Sequence, residues 1–226
     1  MTKKRKIILT ACVAGVVLLG MGAAAGYYHY SRNGMPHSLR HWWYAHIDSK
    51  QVATKQSSAS LLTYCKRHQL DTECYITVDF TRPSSEPRLE VRRFDNGKVL
   101  FSSLCAHGDG LAPFRSTASD PHFSNRAGSK CSSVGRYVLT GTGKSNKLGF
   151  RIIKLEGLDT TNSNALRRGI YIHSSGKVTR NPSEQLIPVG FKTSEGCFVV
   201  TSGAFQRLVN LMQCHPRMLL YAFNRR

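Results

Sequence analysis

Three patterns of hydrophobic and polar positions succeed one another along the chain. The first is an uncharged stretch at 7–28, rich in Ile, Leu, Val, Ala and Gly, directly after Lys3-Lys4-Arg5-Lys6. As a helix this stretch reaches about 33 Å, enough to cross a hydrocarbon core of about 30 Å. A basic cluster ahead of such a stretch stays in the cytoplasm and sends the rest of the chain outside. Ala23-Ala24-Ala25 offers a small-residue cleavage site. The segment 1–28 is therefore either an uncleaved membrane anchor, which its length suits, or a signal peptide.

The second pattern covers 29–74. Trp42, Trp43 and Tyr44 lie in an aromatic and polar stretch that suits a membrane interface. Within 57–69, Leu61, Leu62 and Cys65 fall on one helical face, which predicts a short helix capped by Ser58. From 75 onward the period changes to two. Residues 75–80 alternate, as do 88–91; Asp95-Asn96-Gly97-Lys98 is a tight-turn sequence, so 88–105 is predicted as a hairpin. Further strands are expected at 135–139, 150–155, 169–173, 198–200 and 218–223. A helical turn is expected at 164–168 and a helix at about 202–212. The loop 107–133 is rich in Gly, Ser and Pro. The expected architecture is mainly β, a small sandwich or barrel-like sheet system with a few packed helices, preceded by the apolar N-terminal helix.

Charge sharpens the picture. The 226 residues carry 32 Lys and Arg against 13 Asp and Glu, a formal +19. Loss of residues 1–25 would remove four basic and no acidic residues, leaving 28 against 13 and a charge of +15. Such an excess calls for a polyanionic partner. Outside the cytoplasm that partner is the anionic envelope and not nucleic acid, for which the interleaved aromatic and basic stripe of single-strand binders is also missing. Of seven cysteines, six lie beyond the apolar stretch, where an oxidising compartment favours pairing. If one stays a reactive thiol, at most two disulfides form; Cys65–Cys74 is the first choice and Cys105–Cys131 the second, with a buried, free Cys105 as the alternative. Cys65-x-x-His68 with Cys74 matches no strong zinc spacing.

Candidate chemistry lies near the end of the chain. His173 closes the apolar strand 169–172 and precedes the turn Ser174-Ser175-Gly176. Cys197 comes 24 residues later, between Ser194-Glu195-Gly196 and the apolar run 198–200. If the two strands are neighbours, imidazole and thiol approach hydrogen-bond distance, and the imidazole supports the nucleophilic thiolate. Gly196 permits a turn whose N–H groups converge on one point, as an oxyanion requires.

From about residue 75 to 224 the chain resembles the murein L,D-transpeptidase catalytic-domain family. The matching stretches are 76–80, the hairpin ending in Cys105-Ala106-His107-Gly108, then 122–137, 157–173 and Ser194-Glu195-Gly196-Cys197. The resemblance divides the chain into an anchor or signal peptide (1–28), a juxtamembrane and short helical segment (29–74) and a catalytic domain (75–226). It implies Cys197 as nucleophile, His173 as general base and the Ser174 carbonyl as the group orienting the ring. Backbone N–H groups of Glu195, Gly196 and Cys197 would hold the oxyanion, with Ser194 bracing the turn. It further implies no metal and no organic cofactor. The substrate would be peptidoglycan stem peptides, cut before the terminal D-alanine through a thioester that a second stem's amine resolves. Water as acceptor would make a carboxypeptidase or endopeptidase, and a non-catalytic wall-binding protein is the third reading. Many relatives carry arginine at the position of Val199 and histidine at that of Glu195. Lys192, Arg115, Lys130 and Arg168 are the basic candidates for holding substrate instead. His107, Gly108, Asn125 and 132–135 are candidates for lining the cleft. The expected location is the cell envelope.

Overall fold

A computed structural model describes residues 51–110, 116–117, 119–145, 149–176, 178 and 194–225. The expected apolar helix, the aromatic stretch 29–50, Arg115 and Lys192 lie outside the described residues. Among those described, no helix is long and apolar enough to cross a membrane.

The elements in chain order are α1 (Ser58–Arg67), β1 (Cys74–Asp79), β2 (Leu89–Arg93), β3 (Val99–Ser103), β4 (Cys105–Ala106), β5 (Gly135–Lys144) and β6 (Arg151–Gly157). After them come α2 (Ala165–Arg168), β7 (Tyr171–Ser174), β8 (Phe198–Val200), α3 (Ser202–Cys214) and β9 (Leu219–Phe223). The strands form one nine-stranded sheet in the order β3-β2-β1-β9-β5-β6-β7-β8-β4. Its two edge strands are consecutive in the chain and separated only by Leu104. Neighbouring Cα atoms are about 3.8 Å apart, so the sheet has to curl until its ends nearly meet. The result is mainly β and barrel-like, with few helices.

Period-two alternation sorts the side chains. Ile76, Val78, Tyr137, Leu139, Ile172, Phe198, Val200 and Leu220 point into the inner core, which Phe205 and Leu208 of α3 complete. Tyr75, Val138, Leu219, Tyr221 and Phe223 point outward, where Leu61 and Cys65 of α1 cover them. Every residue of β9 is consequently buried. The helix cap is Ser57, one residue before the expected Ser58, because its side chain accepts a bond from Ser60 N. β5 extends to Lys144, beyond the expected 139, and slips register between Leu139 and Gly141 as it continues along β6.

The expected disulfides are not formed; Cys65, Cys74, Cys105, Cys131, Cys197 and Cys214 are free. Cys65 belongs to the outer cluster under α1 and Cys74 to the inner core, so the sheet separates them. Cys105 and Cys131 each direct their S–H at a nearby carbonyl, that of Ala106 and of Ser129. Burial pushes the Cys65 and Cys105 thiols up to about 12, which makes them inert. His68 stacks on Tyr64 with ring centroids 4.1 Å apart.

Leu208 is fully buried where α3 closes the core. Leu208→Ala should destabilise the domain by about 2–5 kcal/mol, seen as a lower urea midpoint at unchanged slope. Peptide mapping after thiol blocking should find Cys65 and Cys74 unlinked, and a bridge between them would contradict the sheet that parts them.

Candidate active site

β7 and β8 run parallel, with Ile172 opposite Phe198, His173 opposite Val199 and Ser174 opposite Val200. Since Ile172, Phe198 and Val200 fill the inner core, alternation puts His173 and Cys197 on the outer face. This register brings together two residues 24 apart in sequence. Cys197 stands level with Tyr171, two residues or about 6.6 Å along the strand from His173.

The sulfur lies at the start of β7. It accepts from Tyr171 N at 3.4 Å and donates to Gly169 O at 3.4 Å. The glycine is there because it ends α2 in the left-handed conformation, φ 67°. The expected direct thiol–imidazole hydrogen bond is not formed among the described residues; the register leaves the two groups on one face but two positions apart. His173 is only 7% exposed, and its ring lies on Phe150 with centroids 4.6 Å apart. Its Nδ1 is 3.2 Å from Ser174 O. A carbonyl can only accept, so Nδ1 carries the proton and Nε2 keeps the lone pair.

Burial raises the Cys197 thiol above its ordinary value. The bond from Tyr171 N–H and the charge of Arg168 oppose that rise, while Glu195 adds to it. Burial also lowers His173, against the opposing bond to Ser174. Both shifts favour the uncharged forms, neutral thiol and neutral imidazole.

The turn before Cys197 is tightly specified. Ser194 Oγ accepts from Gly196 N and donates to Cys197 O, both at 2.9 Å. The Gly196 N–H, expected to serve an oxyanion, is therefore already engaged. The Cys197 N–H meets no acceptor among the described residues. Gly196 has φ 126°, and a Cβ there would lie 2.7 Å from Cys131 O, so no other residue fits. Glu195 is ion-paired with Lys130 at 3.1 Å.

The other candidates fall into structural roles. Arg168 binds Ser124 O, Ser133 Oγ, Ser129 Oγ and Cys131 O, clamping the 124–133 loop. Asn125 ties the same loop to Thr160 O, Ser163 Oγ and Asn164. Val199 is buried with Leu104, Ala106 and Val178. Gly135 lines a separate hollow of about 580 Å³ with Val52, Lys55 and Asp159. Sequence reasoning missed Gly169, Tyr171 and Phe150, because their contact with the site depends on which strands are neighbours.

A cysteine and a histidine thus lie on one face of adjacent strands in a nearly closed, mainly β sheet. A family model described as an L,D-transpeptidase catalytic domain matches residues 47–223, and the chain belongs to that family. The match begins before α1. Among solved structures, the chain is similar to the L,D-transpeptidase (residues 123–326) of Xylanimonas cellulosilytica DSM 15894. Identity is 14% and the TM-score 0.37, over 68% of this chain and 61% of that one. The chain thus spans less than two thirds of that relative. No curated protein matches it.

The neutral resting pair has a kinetic signature. Alkylation of Cys197 by iodoacetamide needs thiolate, so its rate should keep rising with pH up to and beyond 9. A plateau already reached near pH 6–7 would show a preformed thiolate–imidazolium pair instead. The acidic limb of turnover should lie below 6.5, the ordinary histidine value, because His173 accepts the proton only when neutral.

Proposed function

We propose that the chain is a peptidoglycan L,D-transpeptidase acting through a Cys197 thioester. The observation that carries this reading is the parallel placement of Cys197 beside His173, with the ring held in the Nε2-basic tautomer by Ser174 O. The thiol turns from Gly169 O toward His173 and gives its proton to Nε2. The sulfur adds to the carbonyl carbon of the third stem residue, and the Cys197 N–H receives the oxyanion. On collapse the Nε2 proton passes to the leaving D-alanine nitrogen, the C–N bond breaks and a thioester remains. An amine of a second stem then attacks, its proton goes to His173, and the thiol is restored as the crosslink closes.

The wider reading rests on sequence. The basic run and apolar stretch within 1–28 support delivery to the envelope as an anchor or signal peptide, with 29–74 as the connecting segment and 75–226 as the catalytic part. The charge excess supports attraction to the anionic wall over about one Debye length, about 8 Å at physiological salt.

Incubation with purified muropeptides, with products identified by mass, tests the assignment. Wild-type protein should release D-alanine and form crosslinked dimers; release without dimers would mark a carboxypeptidase. Cys197→Ala should abolish both products while the melting temperature stays within a few degrees. His173→Ala should lower the rate by about 10²–10⁴. Full activity in Cys197→Ala would remove the enzyme assignment altogether.

A further inference from the structure

The peptide joining Gly196 to Cys197 holds both a carbonyl, Gly196 O, and the N–H that would meet the oxyanion. In a planar trans peptide these two groups point in opposite directions. Whatever holds the carbonyl therefore aims the N–H. The holder here is Ser132, which is fully buried and donates from Oγ to Gly196 O at 2.9 Å. Ser132 Oγ in turn accepts from Gly108 N at 3.0 Å. With that N–H on its lone pair, the single hydroxyl proton is left for Gly196 O.

We propose that Ser132 is a positioning residue that sets the Gly196–Cys197 peptide and so aims the Cys197 N–H at the oxyanion of acyl transfer. The role rests on the acyl-transfer reading above. Gly196 makes such a lock necessary, because at φ 126° the neighbouring peptide lacks the steric restraint that a side chain imposes. A hydrogen bond at the carbonyl also polarises the amide and strengthens its N–H as a donor.

The lock has its own foundation. Gly108 passes so close to the turn that a Cβ would lie 2.8 Å from Gly196 Cα and closer still to Lys130 O. Asp109 N donates to Ser194 O at 3.1 Å, a second tie between the two loops. His107, just before Gly108, is fully buried and takes a bond at Nδ1 from Arg88. Arg88 is itself fully buried, donates to Cys105 O at 2.7 Å and Arg82 O at 3.2 Å, and lies over the Phe80 ring at 4.8 Å. It makes no ion pair among the described residues. A buried arginine spent on two carbonyls and an imidazole holds the hairpin end in one place, and through Gly108 holds Ser132.

Two probes of Cys197 separate aiming from folding. Iodoacetamide reacts at saturated carbon and develops no oxyanion, whereas a carbapenem or a muropeptide acylates through one. In Ser132→Ala, peptide-resolved mass spectrometry should find Cys197 alkylation within about two-fold of wild type. Acylation should fall about 10–100-fold, part of the 10²–10³ that loss of an oxyanion donor costs. Unchanged acylation, or equal loss of both reactions, would overturn the role of Ser132. A wild-type protein alkylated at Cys197 but never acylated would instead sink the acyl-transfer reading, and this proposal with it.

Discussion

The parallel ladder between β7 and β8 is the constraint on which the site depends. It sets His173 opposite Val199 and so leaves Cys197 level with Tyr171. A one-residue slip would turn His173 into the core and Ile172 outward. The ladder is held from both sides: β6 pairs with β7, and β4 pairs with β8 through Cys105 and Ala106. Because β4 comes after β3 with one residue between, the far end of the sheet is tethered to the strand that follows Cys197.

Burial sets the chemistry of the pair. The same enclosure that fixes the two side chains also disfavours their charged forms, raising the thiol and lowering the imidazole. Thiol and imidazole are thus both favoured in their neutral forms. Arg168 contributes at a distance, because its guanidinium is committed to loop carbonyls and hydroxyls while its charge still favours the thiolate. Glu195, tied to Lys130, works in the opposite direction.

The turn before Cys197 depends on two glycines for different reasons. Gly196 supplies a backbone conformation closed to side chains, and Gly108 supplies the absence of a Cβ where two loops nearly touch. Between them lies Ser132, whose hydroxyl converts proximity into a directed bond. Directed hydrogen bonds from Ser132 and Ser194 shape this corner.

Much of this was readable along the chain. Alternation marked the strands because one face of each is buried. The Asn96-Gly97 turn announced its hairpin because few residues accept φ of 67°. Glycine before Cys197 and serine three residues before it signalled a turn built to present a side chain, and those local bonds are what the structure contains. The length of β5 and the free cysteines were not readable, since each depends on what packs across the sheet, while the cap fell on Ser57 and not Ser58 because adjacent serines offer the same local signal. Cys65 and Cys74 are nine positions apart in sequence yet belong to opposite faces. The sequence by itself determined most of the strands, the turn before Cys197 and the strand that carries His173, because these are local in period and backbone conformation. Only the tertiary structure decided that Ser132, Gly108 and Arg88 serve that turn, and that thiol and imidazole rest apart. Strand order and register are set by burial summed over the whole sheet, and no short stretch of residues encodes them.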